Sequence, residues 1–338
     1  MNYRYFLVML GLVSVFLACN KEITETAFIA FRTPANFPAP EYHFNTNEIT
    51  PDGFQLGRKL FYDTKLSQNN TISCGSCHIQ TSAFTHHGHS KSHGIFDREG
   101  TRNSPPIMNM AWNTSFMWDG GIFDLDLQAI APITNHVEMG ETMANVLAKL
   151  QSTAEYPPMF QKAFGRSEIT TAGFLKALSQ FMLMCVSSNS RYDSVMRKEA
   201  SFTKAETEGY AVFQSKCGSC HKEPLFTDHS FRNNGLSISE TNDEGRYLIT
   251  QNETDKYRFR VPSLRNLAYT APYMHDGRFL ALDAVFDHYN SQVQHTQNLD
   301  PSLEQGIKLS ASERELITGF LNTLNDRSFL LDKRFSEP

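Results

Sequence analysis

A mainly α-helical protein of two tandem units with long loops, related by internal duplication, is the fold this sequence predicts. Three observations predict it. Cys74-Gly75-Ser76-Cys77-His78 recurs residue for residue as Cys217-Gly218-Ser219-Cys220-His221. The segments that follow each copy recur in the same order. Apolar residues repeat with the helical period, and few stretches alternate with period two.

The repeated stretch reads C-x-x-C-H, the attachment signal of a covalent c-type haem. Each thiol adds to one vinyl group, and two intervening residues let both reach one porphyrin edge. The adjacent His then stands under the iron as proximal ligand. Cys74, Cys77 and His78 would hold one haem, and Cys217, Cys220 and His221 a second. A structural zinc site would bring its two pairs together over about 12–20 residues, whereas these lie in different halves of the chain. A dithiol redox pair would need no His after it. The units are therefore read as cytochrome c-like haem domains.

At 338 residues the chain has room for two domains, and 40% hydrophobic with 20% charged residues is ordinary globular composition. The net charge of −5 argues against a nucleic-acid partner. The start reads as an address. Arg4 precedes an apolar run from Tyr5 to Ala18, too short for a membrane span. Leu17-Ala18-Cys19 resembles a lipoprotein signal, although Phe16 stands where Leu is usual. Residues 1–19 are thus expected to export the protein to the periplasmic side, with Cys19 as lipid anchor. Cys185, in an apolar run, is read as a buried small hydrophobe, and no disulfide is expected.

Residues 20–45 carry Pro34, Pro38 and Pro40 and are read as an exposed arm. Thr50-Pro51 opens a helix whose buried face is Leu56, Leu60 and Phe61, leading to the first haem motif. A loop-rich stretch runs to about Gly121, and helical pattern returns at 124–131, 142–150 and 170–186. The first unit spans 46–195 and the second 196–338, with the seam near Ser187–Ser201. Thr203 and Glu206 form a capping box opening the helix into Cys217. Leu225-Phe226-Thr227 answers Ala83-Phe84-Thr85, Leu264-Arg265-Asn266 answers Thr101-Arg102-Asn103, and Tyr273-Met274-His275-Asp276-Gly277 answers Phe116-Met117-Trp118-Asp119-Gly120. Asymmetry between the halves, above all Trp118 against His275, points to two haems with different duties.

With both haem motifs, Arg102-Asn103, Trp118-Asp119-Gly120, Gln128, Val137-Glu138-Met139, Val261-Pro262-Ser263-Leu264-Arg265-Asn266 and Thr270-Ala271-Pro272-Tyr273, the chain resembles the bacterial dihaem cytochrome c peroxidases, including the MauG-type enzymes. The resemblance covers roughly residues 45–330. It implies a peroxidatic N-terminal haem on His78 and an electron-accepting C-terminal haem on His221. It implies that Glu138 moves the peroxide proton, that Gln128 hydrogen-bonds in the same pocket, and that Trp118 relays electrons between haems. It implies a calcium ion held by Asn103 and the carbonyls of Thr270 and Pro272, oxygen ligands that suit a hard cation.

Two positions depart from the peroxidase pattern. Ile95 occupies the slot of a distal His, with His93 two residues away as a possible ligand; His86, His87 and His89 are read as solvated loop residues. The sixth ligand of the second haem falls on Tyr289, with Met274 as the alternative. The expected activity is reduction of hydrogen peroxide to water with electrons from a small cytochrome c or copper protein. A MauG-like oxidase of a protein substrate and a non-enzymatic two-haem electron carrier are the alternatives, and a homodimer is compatible with each.

Overall fold

The computed structural model describes Phe28 and residues 30–338. The expected lipoprotein signal, Cys19 included, lies outside the described residues. No described helix is long and apolar enough to cross a membrane.

The protein is mostly helical, with one short antiparallel pair, β1 (Phe231–Arg232) against β2 (Phe259–Arg260). Two helix pairs organise it. Helix α1 (Pro51–Tyr62) packs on α2 (Thr171–Met184), and α3 (Lys204–Lys216) packs on α4 (Ala311–Asn322). Helix α1 starts as its sequence demands: the Thr50 hydroxyl accepts the Gly53 N–H at 3.0 Å and Pro51 needs no amide partner. Its buried face carries Phe54, Leu56, Leu60 and Phe61. The Thr203/Glu206 capping box opens α3.

Glycine sets both crossings. A Cβ at Gly57 would stand 1.9 Å from the Ala177 carbonyl oxygen, and one at Gly209 would stand 2.1 Å from that of Leu316. Only a residue without a side chain lets either pair of helices approach so closely.

Further features match between the halves. Met117 and Met274 share a positive φ of 69° and 74°, and the bridges Phe116–Ile122 and Tyr273–Phe279 close the two loops. The structure corrects one of the sequence pairings. Asn266 matches Asn109, not Asn103: both have φ near 57° (56° and 57°), both open a 3-10 turn, and both reach Ser187. The repeated Arg-Asn dipeptide misled the pairing, because Arg102 and Arg265 serve different carboxylates.

The described part of the arm is largely exposed, as expected, but it is also anchored to the body. Phe37 is buried, Trp112 Nε1 donates to the Pro38 carbonyl at 2.9 Å, and Asn36 Nδ2 donates to Asp193 at 2.8 Å. The chain's end also crosses between halves: Phe329, Leu330 and Phe335 join the core of the N-terminal half, and Tyr62 Oη donates to the Phe335 carbonyl at 2.7 Å. Between the halves, Arg265 and Asp193 form a fully buried ion pair, with Arg265 Nη2 2.8 Å from Asp193 Oδ1. Helix Tyr156–Phe164 is absent from the sequence expectation; Pro157 and Pro158 sit harmlessly in its first turn.

Candidate active site

Each C-x-x-C-H motif forms a wall of its own cavity. Cys74–Cys77 make one helical turn, capped reciprocally by Ser73 and Ser76, and the His78 amide donates to the Cys74 carbonyl at 2.9 Å. The His78 ring is then fixed by Nδ1, 2.7 Å from the Phe84 carbonyl. The second motif continues α3, and His221 Nδ1 lies 3.1 Å from the Phe226 carbonyl. A carbonyl accepts only from N–H, so Nδ1 carries the proton and Nε2 keeps its lone pair. Burial pushes both imidazoles below their ordinary pKa. Both are thus neutral, the form that binds a metal.

The first cavity, about 490 Å³, is lined by Cys77, His78, Trp118, Gln128, Asn135 and Glu138 among others. The second, about 390 Å³, is lined by Cys217, Cys220, His221, Met274, His275 and Tyr289 among others. Asn103, Trp118 and Arg260 line both. Trp118 is pinned between them: its Nε1 donates to the Asn103 carbonyl, and its own carbonyl accepts from the Arg260 amide, each at 2.8 Å.

These residues fit a covalently attached haem in each cavity. Both volumes suit a large flat ligand; the second wall offers two thiols and one neutral imidazole, and the first offers the Cys77 thiol and one neutral imidazole, with Cys74 one helical turn away. Arg260 adds an independent observation. Its Nε is buried without a hydrogen-bond partner, and it makes no ion pair among the described residues. Burial alone lowers its pKa to about 10. A cation left unpaired between two cavities suits a carboxylate-bearing ligand such as haem.

Comparison with known proteins agrees. A model of the di-haem cytochrome c peroxidase family matches residues 51–201. The methylamine utilization protein MauG of Methylorubrum extorquens is 34% identical over 298 residues, covering 87% of this chain and 83% of that protein. The chain belongs to the di-haem cytochrome c peroxidase family. The cytochrome c551 peroxidase of Pseudomonas aeruginosa is 31% identical over 304 residues, 86% of this chain and 84% of that protein. Among solved structures, a MauG-like protein associated with microbial copper homeostasis superposes with a TM-score of 0.85 at 32% identity, covering 92% of this chain and 99% of the other. Members of this family are haem enzymes, so the electron-carrier alternative falls away.

Within this family member, Glu138 stands in the turn 135–140. Its Oε1 accepts from Asn135 Nδ2 at 2.7 Å. Burial raises its pKa, and the Asn135 bond opposes that rise. Gln128 Nε2 faces Met117 Sδ at 3.7 Å. Ile95, at the distal-His slot, is tied down by its amide, which donates to the Glu138 carbonyl at 2.8 Å, and its side chain meets Gly140. His93 does not line the cavity: its Nδ1 lies 2.7 Å from Asp97 Oδ1, and 40% of its side chain is exposed. His86 is buried rather than solvated and packs against the His89 ring, 4.2 Å between centroids.

Asn103 Nδ2 donates to the Pro272 carbonyl, while Asn103 Oδ1 is buried without a partner. Thr270 lines the same cavity. Tyr289 sits on a π-helical turn, and burial pushes its phenol up to about 12. Met274 Sδ lies 3.5 Å from Asn234 Nδ2 in the same cavity.

Sequence reasoning missed the rim of the first cavity. There Arg102 grips Asp243 through Nε at 2.6 Å and Nη2 at 2.8 Å, and reaches Asp119 through Nη1 at 2.5 Å. This cluster ties the loop after the first haem motif to the C-terminal half. The Arg102-Asn103 signal was visible, but its partner 141 residues on was not.

Proposed function

We propose that this enzyme reduces hydrogen peroxide to water at the Cys74/Cys77 haem, with electrons entering from a small cytochrome c or copper protein through the Cys217/Cys220 haem. The observation that carries the reading is the sharing of one cavity by His78, Glu138 and Gln128, with Trp118 common to both cavities. A bound haem supplies the iron at which peroxide takes up two electrons. The chain's own residues do the rest. His78 holds the proximal side. Glu138 takes a proton from one peroxide oxygen and returns it to the other. Gln128, in the same cavity, would offer a hydrogen bond to peroxide. Trp118 bridges the two sites, and its firm anchoring keeps that bridge at fixed distance.

The same reading makes the two units products of one duplication, with the seam at Ser187–Ser201; the matched glycine crossings and positive-φ Met positions support it. It has a calcium ion held between the halves by Asn103 and the carbonyls of Thr270 and Pro272, supported by the buried, unpartnered Asn103 Oδ1. It has the enzyme exported to the periplasmic side and tethered through Cys19.

A MauG-like oxidation of a protein partner is the second reading. It is favoured by Tyr289 in the second cavity and by the position of His93 outside the first. Tyr289 is proposed as the sixth ligand. A buried phenol resists losing its proton, and an adjacent ferric iron would offset that resistance. Tyr289→Phe is expected to change the absorption and EPR spectra of the second haem; unchanged spectra would assign the ligand to Met274.

The deciding experiment is peroxide-dependent oxidation of a reduced small cytochrome c by the holo-protein, followed by absorbance. Sustained turnover is expected. A single oxidation by peroxide that persists without consuming the cytochrome would favour the protein-oxidising reading.

A further inference from the structure

Asn135 is the hub of the turn that carries Glu138. It follows helix Ile130–Thr134, and its amide donates to the Ala131 carbonyl at 3.1 Å. Its own carbonyl accepts two amides, from Glu138 at 3.0 Å and Gly140 at 2.9 Å. Its side chain is used at both ends. Oδ1 accepts the Val137 N–H at 3.2 Å, and Nδ2 donates to Glu138 Oε1 at 2.7 Å. This pairing settles the amide's orientation. Turned over, its NH2 would face an N–H and its oxygen would face a carboxylate, replacing two bonds by two repulsions.

The consequences for Glu138 are chemical. A donor on one oxygen favours the charged carboxylate over the neutral acid. It also holds the side chain in one orientation. No described residue bonds to Oε2, so one oxygen is held and the other is open to the cavity. From the far side, the Ile95 amide on the Glu138 carbonyl fixes the backbone at 2.8 Å.

The other charged and titratable groups nearby leave this task to Asn135. Arg102 is occupied by Asp119 and Asp243 across the cavity. Arg98 is spent on the His136 carbonyl at 2.9 Å, and the His136 side chain is exposed. His78 is bound to the Phe84 carbonyl, the Cys77 thiol is consumed by haem attachment, and Arg260 lies between the cavities.

We propose that Asn135 is the positioning residue that keeps Glu138 ionised and aimed, so that one carboxylate oxygen stands ready to take a proton from peroxide. The step is a proton transfer: one peroxide O–H bond breaks, one carboxyl O–H bond forms, and no electron changes owner. This inference rests on the reading of Glu138 as the proton-moving group.

The test uses the ferric holo-protein and three variants. Asn135→Asp is nearly isosteric and still accepts the Val137 N–H, so the turn survives while the donor becomes a like charge. Asn135→Ala removes both bonds. Glu138→Gln identifies the Glu138 carboxyl band in infrared difference spectra taken across pH.

In the Asn135→Ala protein that band's titration midpoint is expected to rise by about 1 pH unit or more, the worth of a hydrogen bond to a charged group. In Asn135→Asp it is expected to rise further. The acid limb of the peroxide reaction should move by the same amount, with the rate recovering at higher pH. An unmoved midpoint in Asn135→Asp, or a rate lowered equally at every pH, would overturn the proposal. If Glu138→Gln reacts with peroxide at the parent rate, the acid–base reading of Glu138 fails instead; the infrared midpoints still decide whether Asn135 sets its ionisation.

Discussion

Replacing Glu138 by Gln is expected to leave both haems attached and to slow the reaction with peroxide by about 10²–10⁴-fold, the usual worth of a positioned general acid–base group. The substitution keeps shape and the capacity to accept from Asn135 Nδ2, since Gln retains a carbonyl oxygen at the Oε1 position. It removes the ability to take up a proton. The loss therefore reports proton transfer rather than a collapsed turn, and stopped-flow mixing with peroxide measures it.

The pH dependence carries the sign. The active form is the carboxylate, so the rate falls as pH drops through the Glu138 pKa. Burial holds that pKa above the ordinary 4.5, which places the acid limb above that value. The Gln variant should show no such limb. A Gln variant that keeps the parent rate and the parent limb would remove Glu138 from the mechanism.

What the sequence revealed follows from how local each constraint is. The C-x-x-C-H motifs were legible because covalent chemistry demands their spacing within five residues. The caps at Thr50 and Thr203 were legible because a helix start is a contact between near neighbours. Glu138, Gln128 and Trp118 could be named only through resemblance; a Glu in a turn looks like any solvated Glu until the cavity around it is seen.

What was missed depended on distance. The prolines of residues 34–40 mark exposed chain, but nothing local shows that the arm is also held by Trp112 and Asp193, far away in sequence. The tail at 329–335 was assigned with the second unit, yet its Phe329 and Phe335 side chains complete the core of the first. The missing partner of Arg260 could not be read from sequence at all, because it is a statement about everything that surrounds one side chain.

The seam supplies the second large effect. Asp193→Ala is expected to lower the unfolding free energy of the holo-protein by about 3–5 kcal/mol, because it strands a buried cation. Both side chains of the pair have no solvent exposure. Burial works against the Asp193 carboxylate, and Arg265, helped by Ser190 and Asn36, more than offsets it, holding the carboxyl below its ordinary range. Without Asp193 the guanidinium keeps the carbonyls of Pro224 and Ser187 and the faces of Phe37, Tyr192 and Phe226, none of which carries a negative charge.

Exposed pairs give the contrast. Lys59 and Glu155 lie 3.1 Å apart with side chains 32% and 48% exposed, and Glu155→Ala should cost less than about 1 kcal/mol. Replacing Asp193 and Arg265 together by Leu and Met should recover much of the loss, since the double variant buries no charge. Denaturant unfolding of the three proteins separates the two accounts. If Asp193→Ala costs no more than the surface variant, the halves are held by the arm and the crossing tail rather than by this pair. If it costs several kcal/mol and the double variant regains it, the pair's place at the seam reflects the penalty of breaking it, not a large net gain from forming it.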